Sequence, residues 1–188
     1  MAKITQNTTE YDVIVVGAGH AGCEAAVAAA KLGARTALIT TDLTKVATLP
    51  CNPSVGGPGK GHLVREIGAL GGIMADVVDL SAIQLKELNT SKGPAVRAYR
   101  AQIDKPAYNA NMLAVLKATE GLDLLEDEVS GVEAKDGAIA SVHTKQRGLV
   151  STKTVIICAG TFLNGEIVVG DRVVRKGGRI DEDSVGGL

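Results

Sequence analysis

The spacing of apolar positions predicts a strand, a helix and a second strand at the start of the chain. Residues 11–16, YDVIVV, form a short apolar run without strict alternation, which is typical of a parallel strand covered on both faces. Residues 20–32 are rich in alanine and are followed by Gly33, a combination typical of a helix that packs closely on a sheet. Residues 35–40 complete a βαβ unit, for which a right-handed crossover is expected.

The middle of the chain follows a different pattern, in which glycines and prolines interrupt the apolar periodicity. It predicts a loop over 51–61, helices over 62–70 and 77–88, a basic loop over 89–102 and a helix near 105–119. The pattern then becomes strand-like, over 122–134, 138–145 and 149–158, with a hairpin turn at Asp136 and Gly137. These elements together predict an α/β fold in which a parallel sheet is joined to a β-meander.

Composition and charge exclude several classes of function. The chain has 188 residues, 45% of them hydrophobic, and a net charge of -1, so contact with nucleic acid requires a local basic patch. One Phe, three Tyr and no Trp argue against a surface built on stacked bases. Residues 1–10 are polar and predict a disordered tail. Neither a secretory signal nor a membrane span is predicted, because no run of about 18 apolar residues occurs.

The cysteines and the C-terminal residues add two expectations. Cys23, Cys51 and Cys158 show no Cys-x-x-Cys spacing, so neither a disulfide framework nor a metal site is predicted. A reducing cytoplasm is therefore the expected compartment. Residues 177–188, GGRIDEDSVGGL, close no element, and we expect the folded unit to be incomplete at its C-terminus.

Residues 17–22, GAGHAG, match the dinucleotide-binding pattern GxGxxG between a predicted strand and a predicted helix. Gly17 permits the tight turn, Gly19 lets a pyrophosphate approach the backbone, and Gly22 lets the helix lie close to the strand. The helix N-terminus offers N–H groups and a positive dipole end to phosphates. The predicted cofactor-binding residues here are Gly17, Ala18, Gly19, His20, Ala21 and Gly22. The alternative is a glycine turn without a ligand.

One part of the dinucleotide-binding pattern is missing. An acidic residue usually ends the second strand and binds a ribose hydroxyl, but Thr40 occupies that place. Asp42 is either its replacement or the cap of the next turn. Glu24 either stabilises the helix dipole or lies on the ligand side. We interpret His20 and His62 as local hydrogen-bonding groups rather than ligands.

Residues 154–160, TVIICAG, form an apolar strand that ends at a pair of small residues. This strand resembles the "ATG" strand of flavoproteins with two dinucleotide-binding folds, where it also follows a β-meander. The resemblance favours FAD and makes Ala159 and Gly160 candidate cofactor neighbours. An ordinary buried strand is the alternative.

Two long stretches carry a more specific resemblance: CNPSVGGPGKGHLVREIGALGG, residues 51–72, and LNTSKGPAVRAYRAQIDK, residues 88–105. Together with VGAGHAGCEAA and GTFLNG, they resemble the MnmG family, also called GidA or glucose-inhibited division protein A. The match runs from residue 11 to about 180. It implies a Rossmann-like, glutathione-reductase-like FAD-binding domain over residues 11–188, with a helical and loop insertion at about 45–120.

The resemblance also implies an activity. Members of that family are FAD-dependent enzymes that act with the GTPase MnmE on tRNA. They install an aminomethyl or carboxymethylaminomethyl group at carbon five of the wobble uridine. Methylenetetrahydrofolate supplies the one-carbon unit, NADH can reduce the flavin, and the proteins act as homodimers. Because family members are much longer, we expect that 188 residues do not turn over alone.

Further site residues follow from the matching motifs. Cys51 matches a catalytic cysteine candidate, and Lys60, His62 and Arg65 nearby would favour its thiolate. Attack of this thiolate on carbon six of uracil would make carbon five nucleophilic. The alternative is a structural loop thiol. Val129 matches a position that contacts adenine through its backbone, and Ser184 matches a further cofactor contact approximately.

The basic residues of the middle region are candidates for substrate or phosphate contact: Lys60, Lys92, Arg97 and Arg100. They would hold tRNA phosphates, the folate tail or the FAD pyrophosphate. A solvated or ion-paired face is the alternative. Two rival functions stay open, an FAD-dependent oxidoreductase with another substrate and a noncatalytic FAD-binding or dimerisation fragment.

Overall fold

A computed structural model describes residues 10–50 and 52–174, and it confirms the α/β fold with a sheet rich in parallel strands. The strands are β1 (Tyr11–Val16), β2 (Thr36–Thr40), β3 (Ser54–Gly56), β4 (Ala82–Leu88), β5 (Ala98–Ile103), β6 (Leu122–Glu126), β7 (Val129–Lys135), β8 (Ala138–Thr144), β9 (Gly148–Ile157), β10 (Ile167–Val169) and β11 (Arg172–Val174). The helices are α1 (His20–Lys31), α2 (Lys60–Ala69), α3 (Met74–Ser81) and α4 (Lys105–Ala118), with short 3₁₀ turns at Leu43–Lys45 and Pro94–Val96.

The main sheet has six strands in the order β6-β2-β1-β9-β8-β7. The first four are parallel to their neighbours, whereas β7, β8 and β9 form the antiparallel meander. Ile14 and Val15 in the central strand β1 are both fully buried, so this strand is covered on both faces. Among the described residues, no helix combines the length and the apolar character needed to cross a bilayer.

The hydrophobic core lies on both faces of this sheet. Adjacent strand residues point to opposite faces, and Val15 and Leu38 accordingly pack with the helices while Ile14 and Ile39 pack with the meander. The helix-side cluster includes Tyr108, Met112 and Leu116 of α4, each fully buried. The predicted βαβ unit and meander are therefore held between two apolar layers.

A second, three-stranded antiparallel sheet lies within the connection from β2 to β6, in the order β3-β5-β4. Here three sequence predictions were wrong in part. Strand β3 lies in the predicted loop 51–61, β5 lies in the predicted loop 89–102, and the predicted helix 77–88 ends at Ser81. Residues 82–88 instead pair with β5, whose Ala101 and Ile103 are buried, so tertiary pairing overrides the helical spacing.

The predicted single strand 122–134 is divided at Asp127. The backbone N–H of Asp127 donates to the Thr40 carbonyl at 2.9 Å, which ends β6 beside β2. The Asp127 carboxylate is fully buried and accepts hydrogen bonds from the backbone N–H groups of Glu128, Gln146 and Arg147. Strand β6 therefore extends the parallel sheet, and β7 starts the meander.

Candidate dinucleotide-binding site

The turn between β1 and α1 is fixed by close backbone contacts at two glycines. Gly17 has a φ of +98°, and a Cβ there would lie 2.5 Å from the Cys158 carbonyl oxygen. A Cβ at Gly22 would lie 1.8 Å from the carbonyl oxygen of Gly17. The Gly17 N–H also donates to the Ile39 carbonyl at 2.8 Å. Only glycine fits at both positions, as the GxGxxG pattern predicts.

The third glycine of the pattern faces open space. A Cβ at Gly19 would meet no described atom within 4 Å, although Gly19 is the N-cap of α1. No side chain of the described residues caps this helix, so the N–H groups of its first turn are available to an anion. The residues present therefore fit a diphosphate group, with a bare backbone at the point of approach and the positive helix end behind it.

The end of β9 lies against the same turn. The Cys158 N–H donates to the Val16 carbonyl at 2.7 Å, and the Ala159 nitrogen lies 3.3 Å from the Cβ position of Gly17. Gly160, with a φ of +59°, meets no described atom at its Cβ position within 4 Å. The structure thus brings together the two sequence motifs, which are about 140 residues apart in the chain.

Val129 lies at the start of β7, and its side chain is packed in the core with Ile39 and Val142. Only its backbone is left to contact a ligand, which agrees with the backbone role that the family resemblance implies. Cys51 and Ser184 lie outside the described residues.

His20 and Tyr108 form a buried contact directly behind the glycine turn. Their ring centroids are 5.7 Å apart, and burial lowers the pKa of His20. Within the described residues, the buried atoms His20 Nε2, His62 Nδ1 and Tyr108 Oη have no hydrogen-bond partner. The interpretation of the two histidines as hydrogen-bonding groups is therefore wrong at these nitrogens, because the surrounding side chains are mainly apolar.

The acids near the turn have structural partners. Asp42 accepts hydrogen bonds from the Thr44 backbone N–H at 2.8 Å and from its hydroxyl at 2.6 Å, which lower the pKa of Asp42. It is thus the cap of the 3₁₀ turn, as the second interpretation predicted. Glu24 accepts from the backbone N–H groups of Ile73 and Met74, the latter at 2.7 Å. It therefore stabilises the N-terminus of α3 and not that of its own helix.

Sequence reasoning missed an acid at this edge of the sheet. Glu126 ends β6 directly opposite Thr40, and its Oε2 accepts from the Leu43 N–H at 2.9 Å. A strand predicted to run straight from 122 to 134 hides this position, since the turn at Asp127 is what brings Glu126 to the carboxyl edge. The order of the parallel strands is the signal that identifies it.

The four predicted basic residues lie on and around the three-stranded sheet. Lys60 begins α2, and Arg100 in β5 donates to the Ser54 hydroxyl at 3.1 Å. Arg97 donates to the Lys92 carbonyl at 3.2 Å, so these two share one loop. Within the described ranges, none of the four forms an ion pair with a carboxylate, which argues against the ion-paired alternative.

An open groove of about 760 Å³ lies at the opposite end of the parallel strands. Lys31 and Gly33, where α1 ends, and Gly121, before β6, are among the residues that line it. Ligands of open α/β sheets bind outside the carboxyl ends of the strands, which is the edge with the glycine turn. In the part of the chain described here, no group of three or more His, Cys, Asp or Glu is placed to hold a metal ion.

Comparison with known proteins identifies the family. The family model described as glucose inhibited division protein A matches residues 12–188. The chain belongs to the GidA family. The tRNA uridine 5-carboxymethylaminomethyl modification enzyme MnmG of Finegoldia magna is 52% identical over 167 residues, covering 89% of this chain and 27% of that protein.

Solved structures agree with this membership. GidA from Aquifex aeolicus superimposes with a TM-score of 0.90 at 44% identity, covering 96% of this chain and 30% of that one. A GidA-related protein from Thermus thermophilus has a TM-score of 0.66 at 22% identity, over 95% of this chain and 65% of that one, and shows the shared fold. The chain spans 27% and 30% of the length of its Finegoldia and Aquifex relatives.

Proposed function

We propose that this chain is the FAD-binding part of a tRNA-modifying enzyme. Together with MnmE, the enzyme adds an aminomethyl or carboxymethylaminomethyl group to carbon five of the wobble uridine, using methylenetetrahydrofolate. The names of the GidA-family relatives state modification of tRNA uridine. The observation that carries the proposal is the open space at Gly19, bounded by the first turn of α1 and the end of β9.

The residues of the glycine turn bind the FAD diphosphate. Gly17 and Gly22 shape the turn, and the backbone N–H groups of Gly19, His20 and Ala21 lie at the helix end that receives the phosphates. Ala18, Ala159 and Gly160 line the same edge, Val129 offers its backbone to adenine, and Ser184 supplies a further contact. Bound FAD supplies the redox chemistry, which is a property of the cofactor rather than of these side chains.

Cys51 is the proposed nucleophile, and the other two cysteines are unsuited to that role. The Cys23 thiol is buried and donates to the Ala18 carbonyl, and burial raises its pKa to about 12. Burial also raises the pKa of Cys158. Because the thiolate is the reactive form, neither is a good nucleophile near neutral pH. The Cys51 thiolate attacks carbon six of the uracil, which makes carbon five nucleophilic toward the one-carbon donor.

The basic residues of the three-stranded sheet are the proposed phosphate contacts. Lys92 and Arg97 are exposed without an ion-pair partner among the described residues, as phosphate-binding side chains would be. Lys60 and Arg100 extend the same region. Use of NADH, homodimer formation and a cytoplasmic location rest on the family resemblance.

A complementation experiment tests the proposed function. The complete protein is expressed in a strain that lacks wobble-uridine modification, and tRNA nucleosides are measured by mass spectrometry. We expect the modified nucleoside to return with the wild type and to be lost with Cys51→Ser, because serine is a far weaker nucleophile. A yellow, FAD-bound protein that restores no modification would instead favour an oxidoreductase with another substrate. Protein that takes up no FAD would contradict the proposal.

A further inference from the structure

The second strand of a dinucleotide-binding fold usually ends in an acid that binds ribose, and here β2 ends in Thr40. We propose that Glu126, at the end of the neighbouring strand β6, supplies this carboxylate and binds the adenosine ribose hydroxyls of FAD. The inference rests on the proposed FAD binding and goes beyond it, because it assigns a ligand contact to a residue outside the glycine turn.

The backbone places Glu126 beside the ribose end of the site. The Gly17 N–H donates to Ile39, which fixes the end of β2 next to the glycine turn. Thr40 and Glu126 are directly paired in the parallel ladder between β2 and β6. Neighbouring strands lie about 4.8 Å apart, so a glutamate side chain can span the distance from β6 to the end of β2.

The other acids at this edge are committed to structural contacts. Asp42 caps the 3₁₀ turn, and its other oxygen lies 3.9 Å from Lys45 Nζ. Asp127 is fully buried and binds Arg147 together with three backbone N–H groups. Glu128 forms a 2.8 Å ion pair with Lys145. None of these three is available to a ligand without loss of a structural contact.

Glu126 differs from these acids in both exposure and partners. Its side chain is exposed, and within the described part of the chain its carboxylate forms no ion pair. One oxygen, Oε2, is held by the Leu43 N–H at 2.9 Å. That contact orients the carboxylate in advance and leaves Oε1 to accept a hydrogen bond from a ribose hydroxyl. A bond from a hydroxyl to a charged oxygen is stronger than one to a neutral acceptor.

The test measures binding of FAD and of an FAD analogue that lacks the adenosine 2′-hydroxyl, by calorimetry on the complete apoprotein. We expect Glu126→Gln to weaken FAD binding by about tenfold or more, the loss expected for a charged hydrogen bond. We also expect wild type to prefer FAD over the analogue and Glu126→Gln to lose most of that preference. Retention of both the affinity and the preference in Glu126→Gln would overturn the inference.

Asp42→Asn is the matched control, because Asp42 is the rival acid for the same ribose. We expect it to leave the FAD preference within about twofold of wild type. Loss of the preference in Asp42→Asn would assign the ribose to Asp42 and overturn the role of Glu126. A wild-type protein that binds neither ligand would contradict the proposed FAD binding itself, and with it this inference.

A second variant separates ligand contact from an effect on folding. Thr40→Glu combined with Glu126→Gln returns an acid to the usual place at the end of β2. We expect the double variant to recover the preference for the 2′-hydroxyl that Glu126→Gln lacks. Failure to recover it, when the apoprotein melts at the wild-type temperature, would overturn the inference.

Discussion

The glycine turn and the three-stranded sheet are built in opposite ways. At the turn, the backbone is confined on several sides, and Cβ atoms at Gly17 and Gly22 would lie within 2.5 Å of carbonyl oxygens. In the three-stranded sheet, residues 82–87 of the edge strand β4 are all exposed, with Ile83 at 71% and Leu85 at 61%. The turn therefore has almost no freedom to accept new atoms, whereas the outer strand has ample space. Sensitivity to substitution should follow this difference.

The largest effect is expected at Gly22. Gly22→Ala places a methyl group where the Gly17 carbonyl oxygen lies, and backbone has to move to admit it. We expect a loss of at least about 3 kcal/mol in the free energy of unfolding, measured by urea denaturation of the complete protein.

Gly19→Ala is the control for Gly22→Ala, because its Cβ meets no described atom within 4 Å and its φ is -69°. We expect its stability to stay within about 0.5 kcal/mol of wild type while FAD affinity falls. Equal stability losses in the two variants would show that the turn is not confined in the way the contacts indicate.

A smaller effect is expected at Glu24, which joins the helix after the turn to the helix that leads into the three-stranded sheet. Glu24→Ala leaves the backbone N–H groups of Ile73 and Met74 without their acceptor. We expect a loss of about 1–3 kcal/mol in the free energy of unfolding, as for other helix caps and unpaired buried donors. Glu66→Ala, on the exposed side of α2, is the control and should change stability by less than about 0.5 kcal/mol.

Acid should weaken the joint between the parallel strands and the meander at Asp127. Burial alone would raise the pKa of Asp127, but hydrogen bonds from Gln146 and Glu128 outweigh it and hold this pKa below its ordinary value. A carboxyl whose folded pKa is depressed stabilises the fold above its unfolded pKa, and this contribution is lost as pH falls through the folded pKa. The stability gap between wild type and Asp127→Asn should therefore be widest at neutral pH and narrow below about pH 4. Urea denaturation at pH 6 and pH 3 checks this, and a constant gap would contradict it.

The smallest effect is expected on the outer face of β4. Leu85→Thr replaces an exposed apolar side chain by one that also favours strands. We expect the free energy of unfolding to change by less than about 0.5 kcal/mol, measured by urea denaturation. Ala101→Thr, at the buried position that pairs with Leu85, is the matched comparison and should cost more, because there is no room for added atoms. A large loss at Leu85 would mean that this face packs against something in the complete protein.

Local rules were sufficient where the chain determines its own conformation. The β1–α1–β2 unit follows from a doubly buried strand and from glycines that the turn itself requires, and Asp42 followed the capping pattern of an acid two residues before a threonine. The sequence does not show which distant strand a segment pairs with. Residues 83–86 alternate as a strand does, but the apolar spacing from Val77 also fits a helix, and pairing with β5 decides between them. The roles of Glu24 and Glu126 likewise depend on neighbours at least 49 residues away.

Helix α3 passes into strand β4 without an intervening loop, at Ser81 and Ala82. Since Glu24 of the helix behind the glycine turn holds the start of α3, one carboxylate anchors the beginning of an uninterrupted rod whose far half is the edge of the basic sheet. The two surfaces assigned to cofactor and to polyanion therefore share a rigid frame, and their spacing is set by the body of the protein rather than by its surface loops.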